Sequence, residues 1–244
     1  MFPAAMVYRL VIDPPSPESQ RHTLTPEQSH YLFRVLRLSP GASLVALDGR
    51  GRSWRARLET DALALEEALS ENRELRLGAD LAVALPKGNA LEEILRPCAE
   101  LGVRDIYPIL SQRALLKPSD QKLDRWRRIL AEAAEQCERQ WVPQLLPPQS
   151  WSEFILHPRE NSAQYLCVAR CPGPTLTGAL RRRLIEAPPQ ALTLAIGPEG
   201  GWTEAEIRNA LERGWETVSL GPRILRAATA PVVALAQVCA LLDP

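Results

Sequence analysis

From about residue 80 onwards, short apolar runs alternate with longer stretches in which apolar residues recur at helical spacing. The runs predict strands, and the stretches between them predict amphipathic helices. This alternation is typical of an α/β fold in which helices cover a parallel sheet. The predicted strands are Leu81–Leu85, Ile106–Leu110, Tyr165–Ala169, Leu192–Ile196 and Thr217–Leu220.

Two amphipathic helices are predicted between the first three of these strands. The first begins near Asn89, and Asn89 with Glu92 resembles a capping box. Pro97 lies in this helix and lacks an N–H donor, so a kink or an early stop is expected there. The second helix is predicted over about residues 119–139, with one apolar side that is expected to be buried.

Two further helices are predicted in the last quarter of the chain. One begins at the capping box Thr203-x-x-Glu206 and ends at Gly214. The other covers about residues 229–242 and is apolar nearly all round. Such a helix is expected to be buried, either in a core or against a partner chain.

The first part of the chain has a different, β-rich pattern. An apolar run at Ser43–Asp48 and an alternating run at Ser53–Leu58 flank a glycine-rich turn at residues 48–51. This arrangement predicts a β-hairpin. A short helix is expected to open at Thr25, which is followed by proline and glutamate.

Length and composition are those of an ordinary soluble globular chain. The 244 residues are enough for one to two domains, and the change of pattern predicts a division into residues 1–76 and 77–244. The hydrophobic fraction of 45% allows a sizeable core. Because 29 basic residues balance 29 acidic ones, a polybasic tail protein is excluded, whereas a local basic patch is not.

Charge is segregated within the first part. Residues 1–57 contain eight arginines and four acids, whereas residues 58–78 contain two arginines and six acids. Only three of the 29 basic residues are lysines, and the planar guanidinium of arginine suits bidentate contact with phosphate. A basic face that binds nucleic-acid phosphates and a solvated arginine-rich surface both fit this pattern.

Several classes of protein are made improbable by what the chain lacks. Its five cysteines form no CxxC pair and its three histidines are far apart, so reduced thiols and no metal site are expected. No apolar run approaches the roughly 18 residues of a membrane span. The first residues have the character of neither a signal peptide nor a transit peptide. These features predict a cytoplasmic protein that does not span a membrane.

Two predicted strands end in glycine- and proline-rich loops. One run is Leu194 to Trp202 (LAIGPEGGW), and the other is Val218 to Arg226 (VSLGPRILR). Ligands of parallel sheets bind outside the carboxyl ends of strands, where glycine lets the backbone approach closely. Neither loop matches the dinucleotide or P-loop fingerprints. A single Gly-Pro turn is usually only a turn, but two of them favour a shared ligand site.

The sequence resembles the RsmE-type methyltransferases, which belong to the SPOUT superfamily and methylate N3 of a uridine in 16S ribosomal RNA. The combination of IGPEGG with LGPRILR at this spacing is specific to that family. The other matching residues are His30–Arg37, Pro40-Gly41, Asp48-Gly49, Lys87-Gly88, Glu100–Val103, Glu132–Cys137, Arg139 and Val142-Pro143.

The resemblance implies a two-domain architecture and a set of partners. Residues 1–76 would form a PUA-like β-barrel that helps to hold RNA, and residues 77–244 a trefoil-knotted SPOUT α/β domain with a parallel sheet. The cofactor would be S-adenosylmethionine, held in a pocket shaped by the knot loops. The chain would form a homodimer through the knotted domain, and its RNA would be 16S rRNA in the assembled small subunit.

Given this resemblance, the chemistry of methyl transfer suggests roles for two residues. Arg226 would either stabilise the anion of the target base or pair with a carboxylate or an RNA phosphate. Glu199 would either act as the base or cap the adjacent helix. Further cations would bind RNA: Arg9, Arg34, Arg37, Lys87 and Arg139. The residues implied to bind the cofactor are Gly197, Pro198, Glu199, Gly200, Gly201, Leu220, Gly221, Pro222, Arg223, Ile224, Leu225 and Arg226.

Two departures from the family pattern keep other functions open. Ala227 and Ala228 stand where the family usually has Thr-Glu, and Gln112 stands where it often has Glu. A missing hydroxyl and carboxylate beside the site would suit a weak or inactive RNA-binding protein of the same fold. A SPOUT methyltransferase that acts on another RNA is the remaining alternative.

Overall fold

The computed structural model describes residues 7–16, 19–113, 117–157, 161–170 and 172–242. The chain divides into two compact units, of which the first contains residues up to Glu74 together with Ala131–Val142. The second unit contains Leu75–Leu130 and the chain from Pro143 onwards. The segment Ala131–Val142, which the sequence pattern groups with the second domain, therefore belongs to the first unit.

The described chain contains twelve strands, which form a five-stranded sheet in the first unit and a seven-stranded sheet in the second. They are β1 (Arg9–Val11), β2 (Arg21–Thr23), β3 (Ser43–Leu47), β4 (Ser53–Leu58), β5 (Ala62–Leu69), β6 (Gly78–Ala84), β7 (Val103–Leu110), β8 (Gln144–Leu145), β9 (Gln149–Ser150), β10 (Ser162–Cys167), β11 (Ala191–Ile196) and β12 (Glu216–Val218). The helices are α1 (Pro26–His30), α2 (Ala90–Glu100), α3 (Asp120–Gln136), α4 (Trp151–Phe154), α5 (Leu176–Glu186), α6 (Glu204–Leu211) and α7 (Ala230–Leu242).

The first unit is a five-stranded sheet in the order β1-β3-β4-β5-β2. Its centre is the hairpin β3–β4, which confirms the prediction, with Leu47 opposite Ser53 at the turn. The buried carboxylate of Asp48 organises this turn, because it accepts from the N–H groups of Arg50 and Arg52 at 2.9 and 3.0 Å. The predicted short helix is also present, as α1 with a capping box at Thr25.

The segment Ala131–Val142 contacts the rest of the first unit through backbone hydrogen bonds and through side chains, among them the partly buried carboxylate of Glu135. Glu135 accepts a hydrogen bond from the N–H of Val11 at 2.7 Å. Burial raises the pKa of Glu135 to about 7, aided by the nearby carboxylate of Glu132 and opposed by the hydrogen bond from Val11. Near neutral pH, Glu135 is therefore protonated to a much larger extent in the folded protein than in the unfolded chain.

This shift predicts that the unfolding free energy decreases with pH. Because the folded pKa of Glu135 lies above the unfolded value, its contribution is fully present below about pH 4.5 and is lost as pH rises through about 7. We expect Glu135→Gln, which keeps an oxygen to accept from Val11, to be more stable than the wild type by about 2 kcal/mol at about pH 8. Urea unfolding at about pH 5 and about pH 8 measures this difference.

The exposed Glu132, one helical turn earlier, provides the matched control. Glu132→Gln should change the pH dependence of unfolding much less, since the side chain at this position is exposed. Equal pH dependence in the wild type and in Glu135→Gln would contradict the assignment.

The second unit contains a sheet in the order β12-β10-β11-β6-β7-β8, and β9 also pairs with β7. All of these pairings are parallel, which confirms the predicted α/β class. The five predicted strands correspond to β6, β7, β10, β11 and β12.

The cap expected at Asn89 is absent from α2, and so is the early stop that was one of two alternatives expected at Pro97. Asn89 makes no side-chain capping bond, because its Oδ1 accepts from Nζ of Lys122 at 3.3 Å instead. The helix also continues through Pro97 as far as Glu100. Its apolar face, with Leu91, Ile94, Leu95, Cys98 and Ala99, is buried, and this burial outweighs the one backbone bond that proline removes.

The predicted start of α6 and the predicted last helix are both present. Thr203 and Glu206 form a reciprocal capping box. Helix α7 begins at Ala230 and packs against α2 and α5. Its residues Pro231, Ala234, Leu235, Val238 and Leu242 are buried. Within the described chain, no helix is both long and apolar enough to cross a membrane.

An aromatic cluster fills one part of the core of the second unit. The rings of Trp151 and Trp202 lie 4.5 Å apart between centroids, and Trp151 also meets Trp215 at 5.4 Å. Phe154 and Tyr107 complete the cluster. These large, interlocked side chains give the strand ends and α6 a rigid base.

Candidate functional site

The two glycine-rich loops lie at the same edge of the parallel sheet. Strand β11 ends at Ile196 and leads into the first loop, Gly197–Trp202. Strand β12 ends at Val218 and leads into the second loop, Ser219–Thr229. Strand β10 lies between them, and all three strands run parallel. Residues separated by about twenty positions in the sequence therefore meet at one edge, where parallel sheets bind ligands.

The first loop requires glycine at two positions for different reasons. A Cβ on Gly197 would lie 3.1 Å from Nε1 of Trp202, which the aromatic cluster holds in place. Gly201 has a φ of +68°, and its N–H donates to the carbonyl of Pro198 at 2.8 Å. A Cβ on Gly201 would meet no atom within 4 Å, so that side of the loop is open.

Neighbouring strand ends anchor the first loop. The backbone N–H of Lys87, which follows β6, donates to Oε1 of Glu199 at 3.0 Å. The guanidinium of Arg113, which follows β7, donates to the carbonyl of Gly200. Glu199 thus does not cap α6, whose N-cap is Thr203. The loop is fixed from two sides while the Glu199 side chain stays exposed.

A buried carboxylate joins the end of β7 to the start of α6. Glu206 accepts from the backbone N–H of Gln112 at 2.9 Å and from that of Thr203 at 2.8 Å. The amide oxygen of Gln112 also lies 3.0 Å from the hydroxyl of Thr203. Glutamine at position 112 therefore accepts a hydrogen bond without adding a second negative charge beside Glu206.

The second loop is shaped by backbone geometry. Gly221 has a φ of +123°, and its N–H donates to the hydroxyl of Ser219 at 3.1 Å. The carbonyl of Leu220 accepts from Nε2 of Gln237 in α7 at 3.3 Å. The carbonyl of Arg226 accepts from the N–H groups of Thr229 and Ala230, which starts α7.

The tip of the second loop is exposed and basic. Pro222, Arg223, Ile224 and Arg226 are exposed, and Ile224 keeps 62% of its surface accessible. Within the described ranges, the guanidinium of Arg226 has neither a hydrogen-bond partner nor an acid partner. It is therefore available to a ligand.

The two loops fit a cofactor that has polar edges and lies against the backbone. The N–H groups of Gly200 and Leu225 have no acceptor among the described residues. Both Gly201 and Gly221 are open on the side that a Cβ would occupy. Nε1 of Trp202 is buried, and it has no partner in the part of the chain that the structure describes. These donors and open backbone faces suit a nucleoside-like ligand.

The five cations predicted to bind RNA lie in different environments. Arg34 and Arg37 are exposed in the first unit, and Lys87 is exposed in the second. Arg9 is mostly covered and pairs with Glu138 at 3.0 Å. Arg139 is 3% exposed, and Glu74 holds its guanidinium, which leaves no accessible face for a phosphate.

Ion pairs also neutralise most of the basic surface predicted for the first unit. The pairs join arginines at positions 9, 21, 52, 55, 57, 73 and 139 to acids. Among this unit's described residues, the arginines without an acid partner are Arg34, Arg37 and Arg50. The charge count therefore overestimates the free positive charge.

Cysteine thiols and bound metal ions can also take part in catalysis. Cys98, Cys137, Cys167 and Cys239 are free thiols, and Cys171 lies outside the described residues. The described residues contain no cluster of three or more potential metal-binding side chains.

Comparisons with known proteins identify the family of the chain. A family model described as an RNA methyltransferase domain matches residues 73–239, and one described as an RNA methyltransferase PUA domain matches residues 24–62. The ribosomal RNA small subunit methyltransferase E of Synechocystis sp. is 49% identical over 242 residues, which cover 98% of this chain and 79% of that protein. The protein of the same name from Bacillus subtilis is 31% identical over 91% of this chain and 90% of its own length.

A solved structure has the same fold over nearly the whole chain. It is the crystal structure of a ribosomal RNA small subunit methyltransferase E from Neisseria gonorrhoeae bound to S-adenosyl methionine. Its TM-score is 0.86 at 28% sequence identity, and the match covers 96% of this chain and 98% of that one.

Proposed function

The chain belongs to the ribosomal RNA small subunit methyltransferase E family, and from this premise we propose that it methylates N3 of a uridine in 16S ribosomal RNA with S-adenosylmethionine. The observation that carries the proposal is that the loops after β11 and β12 lie at the same edge of the sheet. The loops offer unpaired backbone donors, open glycine faces and the unpaired cation Arg226.

The cofactor would be held by the backbones of Gly197–Gly201 and Leu220–Arg226. When bound, S-adenosylmethionine supplies a methyl group that its sulfonium already activates for displacement. The protein mainly has to bring this group and the target nitrogen into line, and a rigid loop is suited to that task. Lys87 and Arg113 contribute by fixing the first loop through Glu199 and the Gly200 carbonyl.

Arg226 would stabilise the reacting base. N3 of uridine carries a proton and is a poor nucleophile until that proton leaves. The resulting negative charge spreads onto O2 and O4, where a guanidinium placed in advance stabilises it. Arg226 is exposed and has no acid partner among the described residues, so its charge is free for this role.

Glu199 is the proposed acceptor of the N3 proton. Its Oε1 is held by the N–H of Lys87, which orients the carboxylate and leaves the other oxygen available. A base in this position has to lie within hydrogen-bond reach of the proton that it removes. The target base would be flipped out of its stack to reach the loops.

The proposal extends to the assembly in which the reaction occurs. We propose that the α/β unit carries the trefoil knot of its family and forms a homodimer through this unit. The substrate would be 16S rRNA in the assembled small subunit, in the cytoplasm. Arg34, Arg37, Lys87 and Arg9 would contribute to RNA binding, whereas Arg139 is left out because it is buried against Glu74.

The test is to identify the methylated nucleoside. Protein-free 16S rRNA and small subunits from cells that lack the modification are incubated with methyl-labelled S-adenosylmethionine. Nucleosides are then separated and analysed by mass spectrometry. We expect 3-methyluridine in 16S rRNA, at one position, with a stop to reverse transcription there because N3 methylation blocks base pairing.

Two outcomes would contradict the proposal in different ways. Methylation of another RNA or another nucleoside would favour a SPOUT enzyme with a different substrate. Cofactor binding without methylation would favour the RNA-binding alternative. The double variant Ala227→Thr/Ala228→Glu then decides whether the altered second loop is responsible, since it restores the residues usual in the family.

A further inference from the structure

An open groove of about 530 Å³ lies on the surface of the first unit, beside α1. Its walls combine two aromatic rings, a proline ring, a hydroxyl and a guanidinium, with no carboxylate among them. The lining residues are Pro26, Ser29, His30, Phe33 and Arg34.

A π-helical turn, Tyr31–Val35, gives this groove its shape. The N–H of Leu36 bonds to the carbonyl of Tyr31 at 2.9 Å, which is five residues back rather than four. The wider turn buries Leu32 completely and leaves Arg34 and Val35 exposed, with Val35 at 58%. Such turns are rare and occur frequently at functional sites.

One unpaired arginine of the first unit lines this groove, and a second follows it closely in the sequence. Arg34 lines it, and Arg37 follows three residues later at the end of the turn. Both belong to the small set of described arginines in this unit that have no acid partner. Arg37 also has a φ of +56°, an unfavourable conformation for a residue with a side chain.

We propose that this groove binds one unstacked nucleotide of the RNA substrate. The base would lie against the rings of Phe33 and His30, and the flanking phosphates would contact Arg34 and Arg37. Aromatic rings bind bases through their faces, and arginines bind phosphates, so this combination suits single-stranded RNA. The inference rests on the proposed function, in which Arg34 and Arg37 bind RNA, and it adds a site for one base beside them.

The distribution of charge around the turn also indicates on which side of it the RNA would lie. Tyr31 lies on the side of the turn that is close to Glu132 and Glu135. Burial raises the pKa of its hydroxyl, and the charges of these two carboxylates raise it further. A phosphate chain is expected on the Arg34 side of the turn, where no carboxylate lines the groove. An acidic protein segment would find the same cations, but it would not need the two rings in the groove.

The test measures the affinity for 16S rRNA, and for small subunits, as a function of salt. Arg34→Ala and Arg37→Ala should each reduce the slope of log affinity against log salt by about one. Phe33→Leu keeps an apolar side chain against the core; we expect it to weaken binding about tenfold without changing the slope. Arg50→Ala is the matched control, because Arg50 is also unpaired but lies in the β3–β4 turn.

The outcomes separate this proposal from the proposed function. The groove would be overturned as an RNA site by two results together. The salt slope of the affinity would be the same in Arg34→Ala, Arg37→Ala and Arg50→Ala, and Phe33→Leu would bind RNA with wild-type affinity. Loss of slope without any effect of Phe33→Leu would indicate phosphate contact alone and would also overturn base docking. S-adenosylmethionine affinity, measured on the same variants by calorimetry, should stay at the wild-type value. Failure of the proposed function would instead appear as an absence of methylation in the wild type.

Discussion

Replacement of Arg226 by alanine should reduce kcat by at least about a hundredfold while cofactor affinity and stability change little. The guanidinium is exposed and forms no ion pair with the described residues, so its removal breaks no contact of the fold. Its proposed task arises only when negative charge develops on the uridine. A contribution of that kind lowers kcat and kcat/KM together and leaves ground-state binding intact.

Single-turnover methylation under saturating cofactor and RNA measures this effect. Arg226→Lys keeps the charge but not the planar fork, and we expect it to recover part of the rate. Arg208→Ala, an exposed arginine on α6 outside both loops, should retain the full rate. A wild-type rate in Arg226→Ala would remove this residue from the mechanism, and loss of cofactor binding would give it a different role.

Substitution of Gly201 by alanine should weaken S-adenosylmethionine binding by at least about tenfold. Gly201 has a φ of +68°, and its open side faces no atom of the protein within 4 Å. Alanine there would strain the backbone by about 1 kcal/mol and place a methyl group where a ligand would approach. The effect on affinity should therefore exceed the effect on stability.

Gly214 offers a matched control for backbone strain. It has a φ of +82° and, like Gly201, no atom within 4 Å of an added Cβ, but it lies in the turn after α6. Gly214→Ala should lose a similar amount of stability and bind the cofactor normally. Calorimetry measures the cofactor affinity of both variants, and urea unfolding measures their stability. Equal cofactor affinity in the two variants would show that the first loop does not contact S-adenosylmethionine.

The sheet and the two loops could be predicted from sequence because their signals are local. A buried parallel strand is a short apolar run in the sequence. The loops that follow β11 and β12 each contain a Gly-Pro pair close to the end of the strand. The capping box of Thr203 and Glu206 could also be predicted, since its two partners are only three positions apart. The carboxyl ends of parallel strands then had to share an edge.

Other features depended on partners that are distant in the sequence. Arg139 was predicted to bind RNA, but its carboxylate partner, Glu74, is 65 residues away. Counting charges in a window cannot reveal such a pair, and so the free positive charge of the first unit was overestimated. The cap expected at Asn89 failed for the same reason, because Lys122 lies 33 residues further on.

The aromatic cluster beneath the first loop also makes the protein optically informative. Trp151 and Trp202 have centroids 4.5 Å apart, close enough for their indole transitions to couple. Trp202 lies directly under Gly197, so a displacement of that loop would alter this coupling. Near-ultraviolet circular dichroism and intrinsic fluorescence thus report on the loop in the unlabelled protein.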